Sequence, residues 1–267
     1  VVFNKGFATG LVACLSLSGI LLLLKKEQEL FYLVVPTALY SRIIGIALIA
    51  IAYFTGFLEV AYQADTLISK SNPDFYDWGT PILYTGCYNL AFVAILTSFI
   101  RIRKLNNLYP LALGGGVLIS IVYVAYYSYV ITTVRDSYLF GEIDSFHYWF
   151  HYVNVALLIF IMMNIVYFFN EKTTKNSKLY NSFLWFSCFM AVFVAGKELE
   201  HAMIIIGFKG VDSIYFLKNI HTKVGLPILW GICSLTFMLL GMKLKMKMLR
   251  IIALTLFGIA LLKLFIV

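Results

Sequence analysis

The chain is poor in charge: Asp, Glu, Lys and Arg make up 13% of its 267 residues, about half the share of a soluble domain. Its cysteines, Cys14, Cys87, Cys188 and Cys233, stand singly in apolar runs with no Cys-x-x-Cys pair. That removes the usual zinc, haem-attachment and thiol-redox motifs. The chain also lacks a low-complexity tract, an independently folding soluble segment, and the matched pair of Gly/Pro-broken segments that marks many transporters. The basic excess of +8 forms no continuous patch or recognition motif, so nucleic acid is not the expected partner. What remains is apolar: 61% of the residues, with 17% aromatic. A soluble core of this length cannot enclose so much apolar surface, whereas lipid can.

Apolar blocks recur to Val267, so a cleavable leader does not explain them. Spans of about 20 residues are needed to cross hydrocarbon. They are expected near Phe7 to Leu24, Ile43 to Tyr62, Thr80 to Ile100, Tyr109 to Val130, Phe146 to Phe169, Phe183 to Ile206, Val224 to Met242 and Leu249 to Val267. The runs are continuously apolar where a barrel would alternate, which predicts an all-α, polytopic transmembrane helix bundle of about eight spans. Leu30 to Tyr40, broken by Pro36, reads as interfacial, re-entrant, or the start of a longer second span. Residues 1–267 read as a single transmembrane helical region. The start at Val1 and the stop inside an apolar run lead us to expect a piece of a longer multi-span protein.

Basic residues set orientation, because they stay cytoplasmic. One set of loops holds Lys25, Lys26, Arg42, Arg101, Arg103, Lys104, Lys172, Lys175, Lys178, Lys243, Lys245, Lys247 and Arg250, thirteen in all. The opposite loops hold five, Lys70, Arg135, Lys209, Lys218 and Lys223, so both ends are expected to face away from the cytoplasm.

The polar residues then gather at the outward ends of the spans. In the fifth, Asp144, His147, His151 and Asn154 follow a spacing of three, four and three, one stripe of a helix. His147 and His151 form an H-x-x-x-H pair whose geometry suits a metal if further ligands, His201 among them, complete the shell. Structural histidines are the plainer alternative. The sixth span closes with Lys197, Glu198, Glu200 and His201, an ionisable cluster that needs partners or water if it lies within lipid. It reads either as part of a helix facing a cavity or as a solvated loop beyond Ala195. In the second span, Glu59 is the deepest carboxylate, either a proton carrier or half of a structural pair. His221 follows an amphipathic stretch, Val211 to Ile220, expected to lie in the interface. Glu59, His147, His151, Asn154, Lys197, Glu198 and His201 therefore form the candidate polar pocket. No catalytic residue or cofactor is named by these residues.

At the carboxyl end, Trp230, Leu239-Leu240-Gly241, Leu249-Arg250 and Leu261-Leu262-Lys263-Leu264-Phe265 follow one another at suitable spacing. This run of about forty residues resembles a signature of a large bacterial family of long predicted membrane proteins known only as a domain of unknown function. Pro227 and Ala253 depart from that pattern. The resemblance implies a bacterial inner (cytoplasmic) membrane and further spans, and no established activity.

Three functions fit these features: envelope transport or handling of a lipid or lipid-linked substrate through an outward-facing polar pocket; an intramembrane enzyme, a metal-assisted hydrolase or lipid-linked transferase at the outer leaflet; and a non-catalytic scaffold. Membrane lipids, and a larger membrane assembly in the scaffold case, are the expected partners.

Overall fold

A computed structural model describes residues 4–26, 37–71, 78–105, 108–172 and 178–266. Among these residues the chain is all-α, with no strand. That is the form in which an apolar segment satisfies its backbone N–H and C=O groups without water. Among the described residues, eight helical runs are long and apolar enough to cross a membrane, and they coincide with the eight expected spans. The chain divides into two compact units, residues 1–92 and 93–267.

The first unit contains α1 (Lys5–Lys26), α2 (Thr37–Ser71) and α3 (Gly79–Ile102) as far as Phe92. Leu30 to Pro36 lie outside the described residues, and Thr37 to Tyr40 open α2. Polar side chains of α2 and α3 tie those helices together. The Tyr88 hydroxyl reaches the carbonyl oxygen of Tyr53 at 3.0 Å, and the Tyr53 hydroxyl donates to Asn89 Oδ1 at 2.9 Å. Gly56 lies against the Tyr88 ring, where a β-carbon has no room.

In the second unit, α4 (Tyr109–Val122), a π-helical turn (Tyr123–Tyr127) and α5 (Ser128–Leu139) join into one span. The span was expected to end near Val130; it continues to Leu139, which takes Arg135 out of a loop and into a helix. A short α6 (Ser145–Trp149) leads across Phe150 into α7 (His151–Lys172). α8 (Lys178–Gly207) runs unbroken through Lys197 to His201, so these residues are helical rather than a loop. α9 (Val211–Ile220) does not stop as a separate segment. It passes through a π-helical turn (His221–Gly225) into α10 (Leu226–Lys243), forming one run. α11 (Lys247–Ile266) closes the chain.

Polar side chains also join helices of the second unit. Asn164 Nδ2 donates to Ser98 Oγ at 3.1 Å, joining α7 to the end of α3, and Ser234 Oγ donates to the Ala253 carbonyl at 2.7 Å, joining α10 to α11. Three helices end alike. After α10, Met246 N–H bonds the Gly241 carbonyl at 2.9 Å and Lys245 N–H the Met242 carbonyl at 3.2 Å, with Lys245 at φ 54°. This Schellman arrangement recurs at Lys104 (φ 52°) and at Gly141 (φ 74°). Glycine occupies the left-handed position only in the last of these.

Candidate functional site

Arg135 is the anchor of the second unit's polar cluster. It lies on the buried stripe of α5 with Ser128 and Ile131, at helical spacing of three and four, and its side chain is fully enclosed. A guanidinium taken out of water needs several partners at once, and this one has three. Its Nε donates to Asp136 Oδ1 at 2.9 Å, joined there by Nη2; Nη1 donates to His201 Nδ1 at 3.2 Å and stands 3.7 Å from Glu200 Oε1.

The arginine fixes the state of His201. Arginine only donates, so Nδ1 of His201 accepts, and the ring is neutral with its proton on Nε2. Glu200, whose carboxylate lies between two cations, also accepts from Lys197 Nζ at 3.0 Å. Arg135, Asp136, Glu200 and Lys197 thus form a balanced set of two positive and two negative groups.

A second pair adjoins it. His151 is fully buried at the start of α7, and its Nδ1 donates to the Tyr148 carbonyl at 2.6 Å. Its Nε2 stands 3.4 Å from Glu198 Oε2. Because Nδ1 already carries a proton, a bond between Nε2 and the carboxylate needs one more, held on either atom. The His151 and His201 rings lie 5.8 Å apart, centroid to centroid, and Tyr148 packs against both, 4.6 Å from His151 and 6.3 Å from His201. The Tyr148 hydroxyl is buried with no hydrogen-bond partner.

Of the candidate pocket, the structure brings His151, Lys197, Glu198 and His201 into this one cluster. His147 and Asn154 are buried on the turns to either side of His151, whereas Asp144 is exposed ahead of α6. Glu59 belongs to the first unit, where it accepts from Gln63 Nε2 at 2.7 Å and from Asn4 N–H at 3.3 Å. Among the described residues no three His, Cys, Asp or Glu side chains are arranged to hold a metal ion, the set His147, His151 and His201 included. Two of those imidazoles already use a ring nitrogen on a protein partner, Tyr148 or Arg135.

Sequence reasoning missed Arg135, Asp136 and Tyr148. The signal for Arg135 was its phase with Ser128 and Ile131, hidden by the end of the apolar run at Val130.

A cleft of about 540 Å³ opens beside the cluster, between α8, the π turn leading into α10, and α11. One end is polar, with Lys197, Glu200, His221 and Thr222; apart from Thr255 the rest is apolar, including Trp185, Phe189, Trp230, Phe237 and Ile252. Cys188, Leu249 and Ile252, backed by Leu184 and Phe237, form a core cluster at the apolar end. His221 is 3% exposed, lies against the backbone of Gly196, and leaves Nε2 without a hydrogen-bond partner.

No family model, curated protein or solved structure matches this chain.

Proposed function

We propose that this multi-pass membrane protein handles a lipid or lipid-linked substrate, receiving its polar head at the Lys197–Glu200 end of the cleft and its hydrocarbon along the apolar walls. One observation carries the proposal: Lys197 and Glu200 belong both to the buried ionic network and to the walls of the cleft. A network that only tied helices together would have no reason to place an ammonium and a carboxylate on the wall of a 540 Å³ space. Ionisable groups at membrane depth mark substrate paths more often than they mark inert packing.

The setting inferred is a bacterial inner membrane with the polar end extracytoplasmic. The thirteen basic residues of the alternate loops support that orientation, and the resemblance of the carboxyl-terminal run supports the bacterial envelope. Transfer or exchange of lipid between reconstituted vesicles tests the function. The purified protein is expected to accelerate transfer, and Lys197→Met and Glu200→Gln are expected to slow it at least tenfold while the protein stays monodisperse. Rates equal to wild type in both variants would remove the cleft from the function.

A second reading, an intramembrane enzyme, draws on the His151–Glu198 pair, an imidazole and a carboxylate 3.4 Å apart beside the partnerless Tyr148 hydroxyl, the groups that general acid–base chemistry uses. Mass analysis of the lipids after the same assay separates the two. Transfer returns them unaltered, and catalysis returns a cleaved or extended product that disappears in Glu198→Gln.

A further inference from the structure

The charges at the polar end of the cleft do not cancel, and the odd one comes from α11. Among the described residues Lys263 meets no carboxylate, and its ammonium lies 4.8 Å from the centroid of the Trp230 ring, a wall of the cleft. The pairing of α10 with α11 explains how it gets there. Ser234 bonds the Ala253 carbonyl and Gly241 lies against Arg250, so the two helices run antiparallel; about ten residues further from their hairpin, Lys263 stands level with the π turn, His221–Gly225. Trp230 is nearer the hairpin. The lysine side chain therefore turns back along α11, the direction in which helical side chains lean. Reaching for the nearer end of the helix at Ile266 would take it the other way.

Two further observations put this ammonium at the cleft. Ile259, one turn before Lys263 on the same face of α11, lines the space. The charge of Lys263 also reaches the His221 imidazole, together with those of Lys197 and Glu200. Around the network, Arg135, Lys197 and Lys263 bring three positive charges, whereas Asp136 and Glu200 bring two negative ones. The bonded His151–Glu198 pair holds one acidic proton on either partner and adds no net charge. Lys218, whose charge is felt at His201, adds to the excess.

An aromatic face offsets only part of the cost of withholding an ammonium from water. An anion supplies the rest. Lys197, a third exposed, gives one of its three N–H donors to Glu200 and has others for a ligand. A head with a second negative charge would meet the Glu200 carboxylate, and a zwitterionic head would bring a cation of its own and leave the excess uncorrected.

Resting on the lipid-handling reading above, we propose that the cleft takes an amphiphile with a singly charged anionic head, a phosphodiester or a carboxylate, seated at Lys263 with its hydrocarbon along the apolar walls.

The test is photolabelling of the full chain in phosphatidylcholine nanodiscs. Two probes carry a photoreactive group near the end of an acyl chain, one a phosphatidylglycerol and the other an uncharged diacylglycerol, and adducts are mapped by peptide mass. The anionic probe is expected to label the walls near Phe237 and Ile252 at a concentration about tenfold lower than the uncharged one. Unlabelled phosphatidylglycerol and oleate both displace it, and whichever does so at lower concentration tells phosphodiester from carboxylate. Lys263→Gln is expected to weaken the anionic probe about tenfold and leave the uncharged one as it was; Lys263→Arg keeps both, as does Lys223→Gln, which removes an exposed lysine of the π turn outside the cleft. Leu256→Trp, which fills the cleft, abolishes labelling there. Equal labelling by the two probes in wild type, unchanged affinity in Lys263→Gln, or an equal loss of both probes in that variant overturns the anionic head and leaves lipid handling standing. Absence of label from the walls in wild type, or label that survives Leu256→Trp, overturns both.

Discussion

Arg135 illustrates what one enclosed charge demands of its neighbours. Its partners come from its own helix, Asp136, and from α8, Glu200 and His201, so the residue couples two spans through charged, directional contacts. Removing it leaves Asp136 without its cation and Glu200 with Lys197 alone. Arg135→Ala is therefore expected to cost about 3–5 kcal/mol, read as a large fall in thermal-unfolding midpoint in detergent. Arg135→Lys recovers only part of that loss, because an ammonium cannot serve three partners with the geometry of a planar fork. A midpoint within a degree of wild type for Arg135→Ala would show that the network carries no stability. The cluster on α8 was legible beforehand because four ionisable residues in a continuously apolar helix need an explanation wherever they fall. Arg135 was not, since an Arg-Asp pair just past an apolar run reads as a loop. Its partner His201 is separated from it by 66 residues, a distance no local pattern spans.

At the scale of the element, the turn between α10 and α11 is held by close approach. A β-carbon at Gly241 would come within 3.1 Å of the Arg250 backbone nitrogen, a contact that only backbone movement relieves. Gly241→Ala is expected to destabilise this hairpin, and Lys245→Gly, which relieves a left-handed lysine, to stabilise it by about 1 kcal/mol. Paired unfolding curves check both signs, and a destabilising Lys245→Gly would contradict the Schellman description. The existence of every span was readable from hydropathy, because lipid imposes length and polarity on a helix one residue at a time. The continuity of spans was less so. α9 carries an amphipathic pattern that suits an interface, and the π turn that carries it into α10 leaves no mark in composition, since a wider hydrogen-bond ring uses the same residues as an α turn.

Across the whole molecule, the second unit gathers its buried arginine, glutamate and histidine side chains, Arg135, His147, His151, Glu200, His201 and His221, at one end of its spans, while Lys104 and Lys245 cap helices at the other. With the native cysteines replaced, Asp144→Cys and Asp212→Cys are expected to react with a membrane-impermeant maleimide in intact cells. Lys104→Cys and Lys245→Cys, also exposed, are expected to react only after permeabilisation. Labelling of Asp144→Cys and Lys245→Cys from the same side would refute the alternation. The lysines of the alternate loops are the ground for expecting this sidedness, and the cleft was hidden because its walls come from three spans whose lateral order no periodicity encodes.

The π turn at His221–Gly225 has a consequence for heredity. It spreads one extra residue through the winding of a continuous rod, and each residue of an α-helix advances the side chains by about 100°. Loss of any single codon for Thr222, Lys223 or Val224 would let ordinary winding resume with His221 and Trp230 still in phase, whereas the same loss from an uninterrupted α-helical stretch turns everything before it by about 100°. An in-frame deletion within α10 would leave hydropathy and topology untouched and still misalign the head of the cleft with its tail, so the π turn is where this span tolerates a change of length.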